Sequence, residues 1–386
     1  MVETLRSEYS KEELESWLPE SYLFFPARPA ASECAAFASA YDRVATAEGN
    51  GGRSLWICKP SDGSKGRAIF VTEDKSEVLA MFADHEVELE KGDKEGEEQD
   101  RGRGRAAAAV NCSSQAATKR HARRAASTGN VAWVVQRYLD RPMLLEGQRK
   151  FDIRVWVLVD ADFNVYMHKE GVLRTASVPF TVEAERLDDP FVHLSNHCIQ
   201  ERCAAYGEYE PTNEMFFGAF GEWLAKWYVV QDATDESERG WDLPVATKLR
   251  DGETTPQGWS RASLEKDLVP QMHRIAALTL YAARNMMKGV EGASFGSFNL
   301  FGYDFMVDEA LRVSLLEVNS SPAVAEAVLE TMTRDVVSVG ILPFFEENAE
   351  GLARTRQSVS ASGFRPVDCV KWLAGMEKSR AWLPSR

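Results

Sequence analysis

From Lys150 the chain alternates strictly: Phe151, Ile153, Val155 and Val157 point one way, and Lys150, Asp152 and Arg154 point the other. A period of two marks a strand with two distinct faces. Three charges on one face of a central-looking strand cost free energy unless they are paired or bind something. A structural Lys–Asp–Arg ladder meets that demand. A site facing phosphate and carboxylate groups meets it too and is the favoured reading.

A second patterned stretch runs from Leu300 to Ala323. Phe301, Tyr303, Phe305 and Val307 alternate with Gly302, Asp304, Met306 and Asp308; after a turn-compatible segment, Val313, Leu315, Glu317 and Asn319 are expected to share one strand face. A hairpin with a four-residue loop, Glu309 to Arg312, puts Asp308 opposite Val313, Met306 opposite Leu315 and Asp304 opposite Glu317. Carboxylates facing each other across a ladder repel, and Asn319 adds a neutral oxygen. Either a cation sits among them, magnesium suiting such hard oxygens, or the acids lie on the solvated face of an ordinary hairpin. The pattern leaves both open.

The remaining pattern predicts a short N-terminal helix and an extended apolar lead-in at Trp17 to Pro26. Leu55 to Val71 reads as strand, glycine-containing loop, strand; its lysines and arginine could serve phosphates, but without a GK[ST] leading into a helix a solvated basic hairpin is the stronger reading. Val131 to Asp140 is a buried strand running into a linker at Gln136 to Leu139, and Val165 to Phe180 is a further strand with Arg174 at its end. His193 and His197 would share a helical face and read as ordinary hydrogen-bonded histidines. Phe216, Phe220, Trp223 and Trp227 form an apolar helical stripe that belongs to a core. A polar loop at Gln231 to Gly258 precedes a helix after Pro270, with Ile275, Leu278, Ala282 and Met286 facing inward, and a short helix is expected at Val324 to Met332. Glu86 to Asn130, acidic and then basic, follows neither period and is expected to be a disordered insertion.

The 386 residues are 44% hydrophobic and 27% charged, the profile of a globular protein with room for two or three lobes. No apolar run approaches the ~20 residues that span a bilayer, and the N-terminus is too polar for a signal peptide. A cytoplasmic protein without a membrane partner is expected. The six cysteines lack metal spacing and read as reduced thiols. A net charge of −14 argues against nucleic acid as a partner, and any acidic substrate would need a locally basic cleft.

QRYLDRPMLL, RKFDIRVWVLVD, EGVLRTASVPF, HLSNHCIQ, YGEYEPTNEMFF and LFGYDFMVDEALRVSLLEVN, in this order, resemble the tubulin–tyrosine ligase family within the ATP-grasp ligases. HLSNHCIQ, NEMFF and FGYDFMVDE are more similar to its tyrosine-adding members than to those adding glutamate or glycine, which more usually carry tyrosine where His197 stands. The resemblance implies an α+β ATP-grasp fold, two lobes with ATP held between them, and ATP and Mg2+ as cofactors. It implies that Lys59 contacts phosphate and that the loop Ser61 to Arg67, with Lys65 and Gly66, covers the phosphates. Gln136, Arg137, Tyr138 and Leu139 match the linker that holds adenine, Lys150 and Asp152 match nucleotide contacts, and Ser195 and Asn196 a polar pair beside the phosphates. Lys150, Arg154 and Arg174 form the implied catalytic set, the two arginines orienting acceptor carboxylate and incoming amino acid. Asp304, Glu317 and Asn319 match magnesium ligands.

The implied reaction is an ATP-dependent carboxylate–amine ligation: the acceptor's C-terminal carboxylate is phosphorylated, then attacked by the amine of a free amino acid. The leading expectation is addition of tyrosine to the C-terminal glutamate of detyrosinated alpha-tubulin within the tubulin dimer, by a monomer associated with the microtubule cytoskeleton. The alternatives are a glutamate or glycine ligase acting on tubulin and a non-catalytic tubulin- or nucleotide-binding module. The expected organisation is a lead-in over 1–52, a central lobe over 53–140 carrying the insertion at about 86–130, a C-terminal lobe with the metal site over 141–350, and a polar tail over 351–386. Two departures from the tyrosine-adding members stand out. The chain starts too late to include their N-terminal lobe, and Ser320 and Ser321 stand where they have Gly and Ala.

Overall fold

The computed structural model describes residues 2–25, 31–47, 53–61, 66–83, 131–232, 245–287, 297–345, 357 and 359–373. The expected insertion at 86–130 and Lys65 lie outside the described residues. The chain divides into two compact units, one of Glu20–Asp140 with Thr181–Ile199, the other of Met1–Pro19, Arg141–Phe180 and Gln200–Arg386.

The smaller unit is built on four antiparallel strands, β1 (Ser21–Phe24), β2 (Trp56–Pro60), β3 (Phe70–Thr72) and β4 (Trp133–Arg137), in the spatial order β1-β4-β2-β3. Alternation sends Tyr22, Phe24, Trp56, Cys58, Trp133 and Val135 to one face, where Phe37, Ala40 and Val44 of the helix Ala31–Thr46 meet them. Their spacing of three and four residues makes one helical stripe. Phe37 is fully buried and meets the Trp56 ring edge-on at 5.1 Å, a burial that contributes about 2 kcal/mol. This helix was not legible in the expected lead-in, where its alanines gave the stripe little contrast.

In the larger unit, β5 (Arg149–Val159) and β6 (Val165–Pro179) are the long central strands, with β7 (Glu214–Phe216) also pairing β6. The helix Phe217–Trp227 follows, and β8 (Tyr228–Gln231), β9 (Ala246–Lys248) and β10 (Trp259–Arg261) form a small separate sheet in the order β10-β8-β9. One of these strands, β9, lies within the stretch expected to be loop, Gln231 to Gly258, and β8 and β10 flank it. After the helix Val269–Met287 come β11 (Asn299–Val307), β12 (Val313–Asn319) and β13 (Phe364–Pro366), which complete an antiparallel sheet in the order β12-β11-β5-β6-β13. Phe364 is buried, so the stretch read as a polar tail contains an edge strand.

One face of this sheet carries Phe151, Ile153, Val155, Val157, Tyr303 and Phe305 against Ile275, Leu278 and Ala282 of the long helix. Met286, expected to face inward, is 66% exposed: it lies in the helix's last turn, past the sheet contact. The opposite face of β5 changes character along its length. Trp156 and Leu158 join Val172, Met332 and Phe364 in an apolar cluster, and Lys150, Asp152 and Arg154 precede them on the same parity.

The hairpin differs from its expected register. Val307 pairs with Val313, Met306 with Ser314 and Phe305 with Leu315; then the register shifts, and Asp304 pairs with Glu317. The loop is one residue longer than expected because Asp308 turns its carboxylate inward, accepting from the backbone N–H groups of Ala310 and Arg312, both at 2.9 Å. The bulge restores the pairing of the acids and splits the expected shared face. Val313 and Leu315 enter the core with Phe305, whereas Glu317 and Asn319 turn to the other side.

Candidate functional site

The three charged positions of β5 meet partners on neighbouring strands. Arg154 pairs with Asp304 of β11 in the ladder, and Asp152 with Arg174 of β6. Arg154 donates through Nε to Asp304 Oδ1 and through Nη2 to Oδ2 at 3.0 Å. Arg174 bridges the two acids, from Nε to Asp152 Oδ1 at 2.6 Å and from Nη2 to Asp304 Oδ2 at 2.8 Å. Burial pushes the Asp304 carboxyl up, but Arg174 and Arg154 outweigh that and hold it below the usual carboxylate range. Burial likewise opposes the charge of Arg174, and Asp152 with Asp304 more than restores it. The ladder is therefore ion-paired, and Asp152, matched to a nucleotide contact, is engaged by Arg174. Lys150 is buried, with Nζ 5.9 Å from the centre of the Phe180 ring.

Glu317 stands directly across from Asp304 and is exposed. Asn319 Nδ2 donates to Glu317 Oε1 at 3.0 Å and reaches Asp304 Oδ2 at 3.4 Å. The three side chains expected as metal ligands are thus brought together by two strands. Among the described residues no cluster of three or more His, Cys, Asp or Glu could hold a metal, so this set offers two carboxylates and an amide. Turning the amide end for end would present its oxygen to the same point. Such a set fits magnesium, which takes one or two carboxylates and completes its shell with water and phosphate oxygens.

In the smaller unit, Lys59 Nζ donates to Gln136 Oε1 at 2.9 Å, and Gln136 Nε2 donates to Ser21 Oγ at 2.9 Å. By the strand period these side chains occupy the face opposite the aromatic core. The linker is fixed by its backbone, Arg137 N–H donating to Glu20 O and Tyr138 N–H to Leu55 O. Arg137 is exposed, Leu139 half-buried, and the buried Tyr138 hydroxyl meets His193 Nδ1 at 2.7 Å. His193 Nε2 lies 2.9 Å from the Arg186 carbonyl, which can only accept, so Nδ1 is the acceptor for Tyr138. His193 and His197 do not share a helix: one ends the turn Pro190–His193 and the other begins His197–Gln200, with Leu194 extended between them.

Gly66 adopts φ +71°, and a Cβ there would come within 2.4 Å of Ile199 Cδ1 and 3.2 Å of Asn196 Oδ1. The glycine loop is thus laid against the segment carrying Ser195 and Asn196, and three residues expected around phosphates are neighbours.

A model of the family described as Tubulin-tyrosine ligase family matches residues 19–226 and 254–349. The chain belongs to the tubulin-tyrosine ligase family. Among curated proteins, it is 26% identical over 241 residues to the tubulin monoglutamylase TTLL4 of Homo sapiens, covering 59% of this chain and 17% of that protein. It is 23% identical over 244 residues to tubulin glycylase 3C of Tetrahymena thermophila (61% and 19%). It is 25% identical over 276 residues to the protein polyglycylase TTLL10 of Macaca fascicularis (70% and 34%). The chain spans between about a sixth and a third of the length of these relatives. These names specify glutamylases and glycylases, so among them tyrosine-ligase family membership does not carry tyrosine as the added amino acid.

Sequence reasoning missed a supporting network in this family member. Arg149, 1% exposed, makes two 2.7 Å bonds to Glu210 and stacks on the Tyr209 ring at 3.8 Å. Glu210 also accepts from Thr175 Oγ1 at 2.9 Å, and Asn213 Nδ2 donates to Thr175 O at 2.8 Å. This network fixes the end of β6 just beyond Arg174. Its one sequence signal is the run YEPTN, a turn dense in hydrogen-bonding groups. Alternation alone places Trp156 on the charged parity of β5, where it joins the apolar cluster with Val172 and Met332.

Proposed function

We propose that this chain is an ATP- and magnesium-dependent carboxylate–amine ligase that adds glutamate or glycine to the acidic tail of tubulin, and that it associates with tubulin for that reason. The observation that carries this reading is the convergence of Arg154 and Arg174 on Asp304, with Glu317 and Asn319 beside it. Family membership, and relatives named for glutamate or glycine transfer, support it.

In this reading Lys59, Lys65 and Gly66, with Ser195 and Asn196, serve the phosphates, and Gln136 to Leu139 serve the adenine. Lys150 and Asp152 add nucleotide contacts. Magnesium, held by Asp304, Glu317 and Asn319, would offset the charge of the phosphates. Arg154 and Arg174 orient carboxylates, and with Lys150 they give an acidic tail a basic reception inside a chain of net charge −14. No side-chain nucleophile is needed, since aligning two bound reactants supplies much of the acceleration.

The test is to supply ATP, tubulin and labelled glutamate, glycine or tyrosine. Incorporation of glutamate or glycine is expected. Incorporation of tyrosine alone would overturn the assignment of the amino acid, and no incorporation of any of them would overturn the ligase reading.

A further inference from the structure

Among the described residues β12 is the outermost strand at its end of the sheet, with β11 on one side only. Its outer edge is nevertheless occupied. Gln271 Nε2 donates to the Leu311 carbonyl at 2.8 Å, and Gln271 Oε1 accepts from the Val313 N–H at 3.0 Å. Two residues on, the Leu315 N–H donates to the Trp17 carbonyl at 2.8 Å. Alternate residues of a strand direct their backbone groups to the same side, so 311, 313 and 315 make one run along that edge. The run stops where the register shifts: Leu316 is passed over and Glu317 faces Asp304. Both caps stand on one helix. Gln271 lies in the first turn of Val269–Met287, where its Nε2 also donates to Asp267 O at 2.7 Å. Trp17 is tied to the same helix through the segment before it. The Tyr9 hydroxyl donates to Leu278 O at 2.7 Å, and the Tyr9 ring meets Trp17 edge-on at 6.3 Å.

We infer that Gln271 and Trp17 are positioning residues: they clamp the outer edge of β12 as far as the Leu316 bulge and so hold Glu317 opposite Asp304 for the cation. The inference rests on the proposed ligase reading, in which Glu317 is a magnesium ligand. The Asp308 loop sets the register at the turn, and the clamp keeps it over the residues that follow. Edge strands are the weakly held members of a sheet. Burial of Val313 and Leu315 in the core fixes which face each presents. The directional bonds at the edge fix the position along the strand, to the precision that the octahedral shell of magnesium demands. Glu317 is exposed, so its placement comes from its strand and not from packing of its own side chain. The bonds of Gln271 are all to backbone, so it acts through the strand.

Gln271→Met keeps the length of the side chain and removes its bonds to the strand. The expected result is faster amide hydrogen exchange at Val313 and Leu315. The magnesium concentration at which a non-hydrolysable ATP analogue binds half-maximally, read by calorimetry, should rise about 10-fold. As a control, Leu224→Val thins the same core from another helix and should lower the melting temperature without moving the magnesium dependence. Equal magnesium dependence in the two variants, or unchanged exchange at Val313, overturns the proposal. So does rapid exchange of Leu315 in the wild type, which would remove Trp17 from the clamp. Should Gln271→Met not fold, Gln271→Glu, which keeps an oxygen for Val313 and loses the donors, is read in the same way. A wild-type protein that ligates no amino acid overturns the ligase reading alone, since exchange and the magnesium titration still decide the clamp.

Discussion

Asp304 faces Glu317 across β11 and β12 because Leu316 is passed over between Leu315 and Glu317. The two acids differ in surroundings, Asp304 being 1% exposed and doubly paired while Glu317 is exposed. They therefore separate function from stability.

Glu317→Gln changes one exposed oxygen to an amide and should leave stability within about 0.5 kcal/mol. Amino-acid incorporation should fall at least ~100-fold if this carboxylate holds the cation. A variant with full activity would remove Glu317 from the metal set; thermal melting run alongside separates loss of chemistry from loss of fold.

Asp304→Asn leaves two buried guanidiniums short of their counter-charge. The expected cost is on the order of 3–5 kcal/mol in urea unfolding, several times that of Glu317→Gln. Equal midpoints for the two variants would contradict the pairing described for Arg154 and Arg174.

Gly66→Ala forces a side chain onto a backbone at φ +71° and against Ile199. A loss of about 1–3 kcal/mol is expected, from backbone strain and overpacking together. Adding Ile199→Ala should relieve the overpacking part only. If the single and double variants unfold alike, the loop does not rest on that segment.

His273 lies half-buried in the helix Val269–Met287, and burial, with a lesser contribution from Lys371, lowers its pKa from 6.5 to about 4. The unfolded chain then binds more protons than the folded one between those values. Stability from this group is full above about pH 6.5 and is lost as pH falls toward 4, by on the order of 2 kcal/mol. Urea titrations across this window should show that slope in the wild type and a shallower one in His273→Gln. Identical slopes would show that the acid sensitivity comes from other groups.

Much of the larger unit was legible because the residues of its central strand β5 alternate strictly from Lys150 to Val157. Phe151 to Val157 declared both faces of β5, and the same parity placed Lys150, Asp152 and Arg154 together. What periodicity could not convey was a break in period: the Leu316 bulge is invisible as composition, so Leu315 and Glu317 were assigned one face when they occupy two. The bulge is set by the Asp308 loop, a three-dimensional hydrogen-bond pattern. In the smaller unit the helix Ala31–Thr46 escaped notice because ASECAAFASA presents few large apolar residues. The link from Gly66 to Asn196 could not be read at all, since 129 residues separate two positions joined only by packing.

The two-faced character of β5 also guards the assembly of the sheet. A slip of one residue in its register would drive Lys150, Asp152 and Arg154 into the aromatic and aliphatic core and turn Phe151, Ile153 and Val155 outward. Each stranded charge would cost several kcal/mol, against a total domain stability of about 5–15 kcal/mol. Misregistered chains are thereby denied a stable compact state. For this sheet, folding at all and presenting the arginines to Asp304 are one event, so a correctly folded population should contain few molecules with a scrambled site.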